Sequence, residues 1–350
     1  MQNPLNDSFT PISELGEFGL INHLTKNFKL RHTNTGKGIG DDAAIINCGE
    51  KVIALSTDLL LEGIHFDLVY NPLQHLGYKA IIVAISDIYA MNIHPQQVFV
   101  SIGMSKKFSV EMMEDLFKGI EVACDNYNLD LAGGDTSSSL TGLSINITVT
   151  GSGNADQIVH RSGAKENDLI CVSGDVGAAY VGNQILAREK KIFMENPEIQ
   201  PDLEGHDYVV GRCLRPECKP ELIDFLRKSG IKPNAMIDVS DGVSSELLHI
   251  ANQSNCGVKI YEDKLPIDQR AYNRAIELGL DPTMCALNGG EDYELLFTVS
   301  PEHRELLKQY DDLTIIGEVL AEKNGNKLLT RSGNEHELIA QGWNAFGSEN

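Results

Sequence analysis

The chain has 350 residues, 42% of them hydrophobic and 23% charged, enough to bury a substantial core and a length that suits two domains better than one. Its 29 Lys and Arg stand against 50 Asp and Glu, and the formal charge of -21 repels nucleic acid and anionic lipid, which proteins bind through basic patches, so neither is expected as a partner. No apolar run approaches the roughly 18 residues of a membrane span, Met1 to Pro11 lacks a signal-peptide pattern, and seven dispersed cysteines, an odd number, suit a reduced cytoplasm.

Along the chain, Ile12, Leu15, Phe18, Ile21 and Leu24 recur at helical spacing, with Thr10 or Ser13 near the cap. Strand-like runs follow at 43–46 and 52–56, and a long apolar helix is expected between Pro72 and Pro95. Next come a strand at "VFVSIGM", a helix from Ser109 to about Tyr127, and a strand at "LSINITVTG". The three glycines and scattered charges of Gly151 to Asn167 mark the domain junction, which divides the chain into 1–152 and 153–350. Beyond it, strand "DLICVSG" turns through "GDVGAA" into a helix ending in "AREKK"; Phe193 to Asp207 reads as a surface insertion. Strand "AMIDVS", helix "VSSELLHIANQS", strand "VKIYE", a helix after Pro266, and strands "YELLFTV" and "TIIGEV" then alternate as in an α/β domain.

Acidic residues recur in short punctuated sequences: "GDDAA" (Asp41, Asp42), "STDLLLEGIHF" (Asp58), "AISDIYAMN" (Asp87), "AGGDTSSS" (Asp135), "MIDVSDG" (Asp238, Asp241) and "NGGEDYELLF" (Glu291, Asp292). Each lies at a strand end, in a glycine turn or on an apolar helix, where an unpaired carboxylate costs several kcal/mol. Taken singly, each has an ordinary explanation: Asp41 capping a turn, Asp87 paired with a distant Arg, Asp238 capping the helix near Ser240. Six together require convergent positive charge. Basic residues are nearly absent from these motifs, whereas Thr57, Ser86, Thr136 and Ser240 stand beside the acids, and oxygen-only donor sets suit magnesium or calcium rather than zinc. Magnesium held this way would in turn hold a polyphosphate, the bridging cation that an acidic protein needs to bind an anionic metabolite.

Other signals are weaker. "GKGIG" lacks the Lys-Ser or Lys-Thr of a P-loop, and "GDVGAA" lacks the third glycine of a dinucleotide turn. Cys213 and Cys218 are the nearest cysteine pair, but no second pair or histidines complete a zinc site. His65 reads first as a satisfied, partly buried histidine and second as a ligand contact, Arg161 as a phosphate clamp or a solvated junction residue, and Trp343 as a tail anchor or a ring-stacking surface.

In this order, "GEFGLI", "GIGDDAA", "STDLLLEGIHF", "SDIYAMNIHP", "AGGDT", "RSGAK", "IDVSDG", "GGEDYELLF" and the "GW" at Trp343 resemble the thiamine-monophosphate kinases of the aminoimidazole ribonucleotide synthetase superfamily over nearly the whole chain. The resemblance implies a two-domain α/β fold, with an N-terminal sheet that pairs across a homodimer and a C-terminal domain that completes the site. It also implies transfer of the terminal phosphoryl group of ATP, the co-substrate, onto thiamine monophosphate, with several Mg2+ ions on carboxylates. Carried over by motif, Asp42, Thr57, Asp58, Asp87, Asp135, Asp238 and Asp241 hold metal; Phe117, Gly134, Asp135, Arg161 and Ser240 contact ATP; His65, Glu291 and Trp343 face thiamine monophosphate. Two positions depart from the pattern: Ala84 where many relatives have Asn, and Ala345 where the terminal motif often has His.

The acceptor is a phosphate monoester with a second pKa near 6, already ionised at neutral pH, so no general base is expected. Repulsion between two polyanions is the obstacle, and positioning with charge neutralisation the remedy. The alternatives are aminoimidazole ribonucleotide or selenophosphate synthesis, for which the "EGIHF"/"GGEDYELLF" combination and a reactive Cys in the glycine loop are respectively the wrong and the missing signals, and a non-catalytic magnesium-nucleotide binding module.

Overall fold

A computed structural model describes residues 14–341. The first part contains α1 (Gly16–Thr25), β1 (Thr35–Lys37), β2 (Ala44–Cys48), β3 (Lys51–Leu61), α2 (Leu73–Ala90), β4 (Pro95–Met104), α3 (Val110–Tyr127), β5 (Asp130–Ser138) and β6 (Leu143–Asn154). These six strands form one sheet in the order β1-β2-β3-β6-β4-β5, antiparallel except for the β4/β5 pair.

After residues 155–168 come β7 (Leu169–Ser173), α4 (Ala178–Glu195), α5 (Asp207–Leu214), α6 (Pro220–Lys228), β8 (Ala235–Asp238), α7 (Val243–Ser254) and β9 (Cys256–Tyr261). Then follow α8 (Gln269–Glu277), α9 (Pro282–Asn288), β10 (Leu295–Val299), α10 (Arg304–Leu307), β11 (Leu313–Ala321), β12 (Lys327–Leu329) and β13 (Glu335–Glu337). A second, seven-stranded sheet runs β13-β12-β9-β11-β7-β10-β8, parallel only between β12 and β9. The architecture is α/β with two mixed sheets, and no helix among the described residues is long and apolar enough to cross a membrane.

Helix α2 is the centre of the molecule. Of its 18 residues, 13 are buried, an all-round burial that a surface helix with one apolar stripe does not show. It packs on β3, β4 and β6 of the first sheet and on β8 and β10 of the second, so one core runs through Ile81, Ile85 and Ile88 to Met236 and Phe297. Each such side chain contributes about 1.5–3 kcal/mol relative to exposure. Helix α3 lies across α2 at two glycines: a Cβ on Gly77 would sit 2.0 Å from the Leu116 carbonyl oxygen, and one on Gly119 would sit 1.9 Å from that of Gln74. The Ser109 hydroxyl caps α3 by accepting the Met112 N–H at 3.3 Å, and Asn128, at φ +53°, ends it in the left-handed conformation.

Several elements depart from the sequence reading. The apolar positions of α1 do not enter a core: none of its residues is buried, and Phe18 instead lies against the His249 ring at 4.4 Å. The cap positions Thr10 and Ser13 lie outside the described residues. Helix α4 continues past "AREKK" to Glu195, which shortens the irregular stretch, and there the Glu189 carboxylate accepts the Asp202 N–H at 2.8 Å. Strand β5, "DLAGGDTSS", has the glycines and short polar residues of a loop, yet pairs with β4 from Gln97↔Asp130 to Met104↔Ser138. It is exposed along its whole length. All seven cysteines are free.

Candidate active site

The site is assembled from strand alternation on β3, one face of α2, the turn before β2 and the end of β8. On β3, Ser56 and Asp58 share the face of Val52, Ala54 and Leu60, turned toward α2. The Ser56 hydroxyl donates to Asp87 Oδ2, and the Ser86 hydroxyl lies 2.7 Å from Asp238 Oδ2, joining the helix to the second sheet. Oxygens of Asp42, Asp87 and Asp238 all fall within 4.8 Å of one another. These residues are far apart in the sequence, and only the fold brings them together.

Burial dominates the electrostatics. It pushes Asp42 up to about 7 against the opposing Arg161 guanidinium, and Asp58 up to about 7 with help from Asp238. Asp87 is raised well above its ordinary value by burial and then by Asp58, Asp238 and Asp42, while Asp238 is raised by burial despite its Ser86 bond and Arg161. Asp241 is pushed up to about 6 by burial, Glu17 and Asp238. The compensating cation is Arg161, whose Nη2 donates to Asp42 Oδ1 at 2.7 Å. Asp42 Oδ2 and Asp58 Oδ2 remain buried without hydrogen-bond partners. A cluster of oxygen donors with orphaned carboxylate atoms fits a hard divalent cation such as Mg2+.

The neighbouring acid of the "GDD" turn has another task. Asp41 accepts from His160 Nδ1 at 2.8 Å and from the Arg161 backbone N–H at 3.1 Å, with Lys37 Nζ at 3.5 Å. Burial alone would raise its carboxyl, but these partners hold it below the usual range. Asp41 thus ties the turn to the chain leading into the second sheet, and Asp42 faces the cluster.

The "GGEDYELLF" turn is similarly divided. Gly290, Glu291 and Tyr293 have φ of +71°, +60° and +53°, a conformation that non-glycine residues adopt only when their surroundings enforce it. Here Glu291 N–H donates to Ser240 O at 2.7 Å and Tyr293 N–H to Val239 O at 2.9 Å. Glu291 faces the cavity. Asp292 turns away and accepts the Gly177 N–H at 2.8 Å, and Glu294 is held by Ser173 and, at 3.0 Å, by Arg212 Nη2.

Asp42, Asp58, His65, Asp87, Arg161, Asp238, Ser240, Asp241 and Glu291 line one cavity of about 1000 Å³ between the two sheets. Four of the residues singled out from the sequence are elsewhere in this chain. The Thr57 hydroxyl lies on the other face of β3, bonded to Thr148 and Asn146. Phe117 packs on the core from α3, and Gly134 and Asp135 are on the exposed strand β5. Trp343 lies outside the described residues, as does Ala345. Sequence reasoning missed Lys79, Tyr293 and Glu246. Glu246 accepts the Asp241 N–H at 3.0 Å and so shapes the "SDG" turn. A lysine in the apolar run "GYKAIIVAISD", eight residues before Asp87, was the available signal for Lys79.

Two family models match the chain: AIR synthase related protein, N-terminal domain, over residues 40–153, and the corresponding C-terminal domain over 165–328. The thiamine-monophosphate kinase of Aquifex aeolicus is 33% identical over 88% of this chain and 92% of its own length. That of Bacillus subtilis is 34% identical over 95% of this chain and 100% of its own. The chain belongs to the thiamine-monophosphate kinase family. A solved structure of the family, described as AaThiL complexed with AMPPCP and TMP, superposes with a TM-score of 0.81 at 30% identity, covering 97% of this chain and 100% of that one. The hydrogenase maturation protein HypE in complex with ATP has a TM-score of 0.68 at 17% identity, over 96% of this chain and 99% of that one, and shares the fold. The motifs "EGIHF" and "GGEDYELLF" bring His65 and Glu291 to the cavity that Asp42, Asp58, Asp87 and Asp238 also line.

Proposed function

We propose that this chain transfers the terminal phosphoryl group of ATP directly to thiamine monophosphate, giving thiamine diphosphate, as the names of its relatives indicate. The observation that carries the reading is the meeting of Asp42, Asp87 and Asp238, from both halves of the chain, within 4.8 Å in a cavity that also presents His65 and Glu291. Asp42, Asp58, Asp87, Asp238 and Asp241 would hold Mg2+, which when bound supplies the positive charge that two phosphate groups need in order to approach.

The side chains do the rest by position. Arg161, fixed by Asp42, presents a guanidinium to the ATP phosphates, and Ser240 offers a hydroxyl beside them. His65 and Glu291 face the heterocyclic end of the acceptor, with Glu291 supplying negative charge for a cationic ring or an acceptor for an amino group. No side chain is required as general base, because the attacking phosphate oxygen is already ionised at neutral pH. Trp343 is assigned to the same end by its motif.

A homodimer is part of the proposal. The division at 152/153 gives the first part the role of dimerisation, and β5 supports this: it is an edge strand, exposed throughout, with Leu131 presented to solvent. Gly134 and Asp135 lie on that strand, so their proposed contacts with ATP and metal depend on assembly rather than on the cavity of one chain.

The test is product analysis after incubation with ATP, Mg2+ and thiamine monophosphate, by chromatography and 31P NMR. Equimolar ADP and thiamine diphosphate are expected. ATP consumption only with a different acceptor, or ATP binding with no product for any acceptor, overturns the reading.

A further inference from the structure

Lys79 is a lysine with almost no solvent contact, at 2% exposure, in the middle of the most buried helix of the protein. A buried ammonium is retained only where a partner compensates its lost hydration. Its partner is Glu291, whose Oε2 lies 3.0 Å from Nζ, across 212 positions of sequence and on the other sheet's side of the cavity. The other groups that face Lys79 are the Cys213 thiol and the Tyr70 hydroxyl, both ordinarily neutral, and the His65 imidazole, which lies near both Lys79 and Glu291. Glu291 is one-third exposed to the cavity, and Oε2 alone is taken by the lysine.

Along α2, Lys79, Val83, Ser86 and Asp87 stand at i, i+4, i+7 and i+8, a single face of the helix. Val83 lines the cavity, Ser86 bonds to Asp238, and Asp87 enters the carboxylate cluster. The eight residues from Lys79 to Asp87 span about 12 Å at 1.5 Å rise per residue. The helix therefore fixes the distance between the cluster and Glu291.

We propose that Lys79 is a positioning residue for the acceptor: it holds Glu291 with one carboxylate oxygen bound and the other presented to the cavity, and α2 acts as a ruler. The ruler selects phosphate monoesters whose cationic or hydrogen-bond-donating head is separated from the phosphate by the spacing that these two turns of α2 impose between Glu291 and the cluster. This rests on the phosphoryl-transfer reading above. The strained turn at Glu291 explains why a second anchor is needed, since the backbone at φ +60° alone does not fix where the carboxylate points.

The experiment is a double-mutant cycle with Lys79→Met, Glu291→Gln and the combined variant, read as KM for thiamine monophosphate, KM for ATP and kcat, with calorimetric binding of a non-hydrolysable ATP analogue. Removing the ammonium is expected to raise KM for thiamine monophosphate by about tenfold or more, the scale of a lost charge-assisted hydrogen bond, while KM for ATP and analogue binding stay within about twofold. In the Glu291→Gln background the further effect of Lys79→Met should shrink to less than about twofold, because the lysine acts through the carboxylate. The combined variant replaces the ion pair by a neutral one and provides a folded reference should Lys79→Met alone not fold. An equal loss from Lys79→Met with and without Glu291, or a parallel rise in KM for ATP, overturns the positioning role. Wild-type protein without activity on thiamine monophosphate would instead overturn the underlying reaction, a result visible before any variant is made.

Discussion

Asp58→Asn separates the electrostatic strain of the cluster from its chemistry. Asp58 projects from β3 toward α2 with Oδ2 buried and unpartnered, and the influences that shift its carboxyl, from 3.8 to about 7, are burial and Asp238. Below pH 3.8 the group is protonated in both folded and unfolded chains and has no effect on stability. Between 3.8 and 7 the unfolded chain ionises while the native state keeps the proton, so metal-free stability falls with rising pH, and above 7 it stays at the lower level. A gap of about three pH units corresponds to about 4 kcal/mol, an upper figure because protonation of Asp238 relieves the same repulsion. The amide has no charge at any pH. In EDTA at pH 8 the variant should therefore be more stable than the wild type by about 2–4 kcal/mol, and at pH 5 by less than half of that. At about 2–4 °C per kcal/mol for domains of this size, the gain in Tm at pH 8 is on the order of 5–10 °C. Differential scanning calorimetry at the two pH values measures it. Excess Mg2+ should then raise the Tm of the wild type more than that of the variant, and turnover of the variant should collapse. An equal or lower Tm for Asp58→Asn in EDTA at pH 8 refutes the charge-strained cluster, and undiminished turnover removes Asp58 from the reaction.

Arg161→Met leaves Asp42 buried without its guanidinium; denaturant unfolding should show a loss of about 3–5 kcal/mol, and calorimetry should show weaker binding of a non-hydrolysable ATP analogue. Gly77→Ala places a Cβ 2.0 Å from the Leu116 carbonyl oxygen and should destabilise by at least about 1–3 kcal/mol. Gly211→Ala in α5 meets nothing within 4 Å and should stabilise by about 0.5–1 kcal/mol, so the two alanines are expected to shift Tm in opposite directions. Leu131→Lys on β5 should convert a dimer into monomers in sedimentation velocity; a wild-type protein that already sediments as a monomer counts against the assembly.

What the sequence revealed follows from which signals are local. The helices 73–90 and 110–127 and the strand from 143 were legible because their apolar spacing, and for 110–127 the Ser109 cap, lies within one window. The carboxylate motifs were legible because an acid beside glycine in an apolar context is anomalous wherever it occurs. Strand β5 was not, since its stability in the sheet comes from backbone pairing with β4 and not from side chains that favour strands. Thr57 and Asp58 show the limit of motif transfer: they are adjacent, and alternation along β3 sends one hydroxyl to Thr148 and the other carboxylate toward α2. Lys79 was missed for a related reason, because its meaning depends on Glu291, a residue that sequence distance separates and the fold brings to 3.0 Å.

The same separation of roles governs which walls of the cavity are rigid. Helix α2 contacts the second sheet's side through both Ser86 to Asp238 and Lys79 to Glu291, and its apolar residues are locked between the sheets. Moving the domains apart would break both contacts and expose the apolar residues of α2 that now pack on the two sheets, at about 1.5–3 kcal/mol for each large side chain. The distance between the cluster and Glu291 is therefore a property of a packed helix and insensitive to loop motion. By contrast α1, which contributes Glu17, Phe18 and Ile21 to the cavity, has no buried residue, and its Phe18 lies against the His249 ring. The two walls therefore differ in kind: α2 is packed between both sheets, whereas α1 covers the cavity from outside the core.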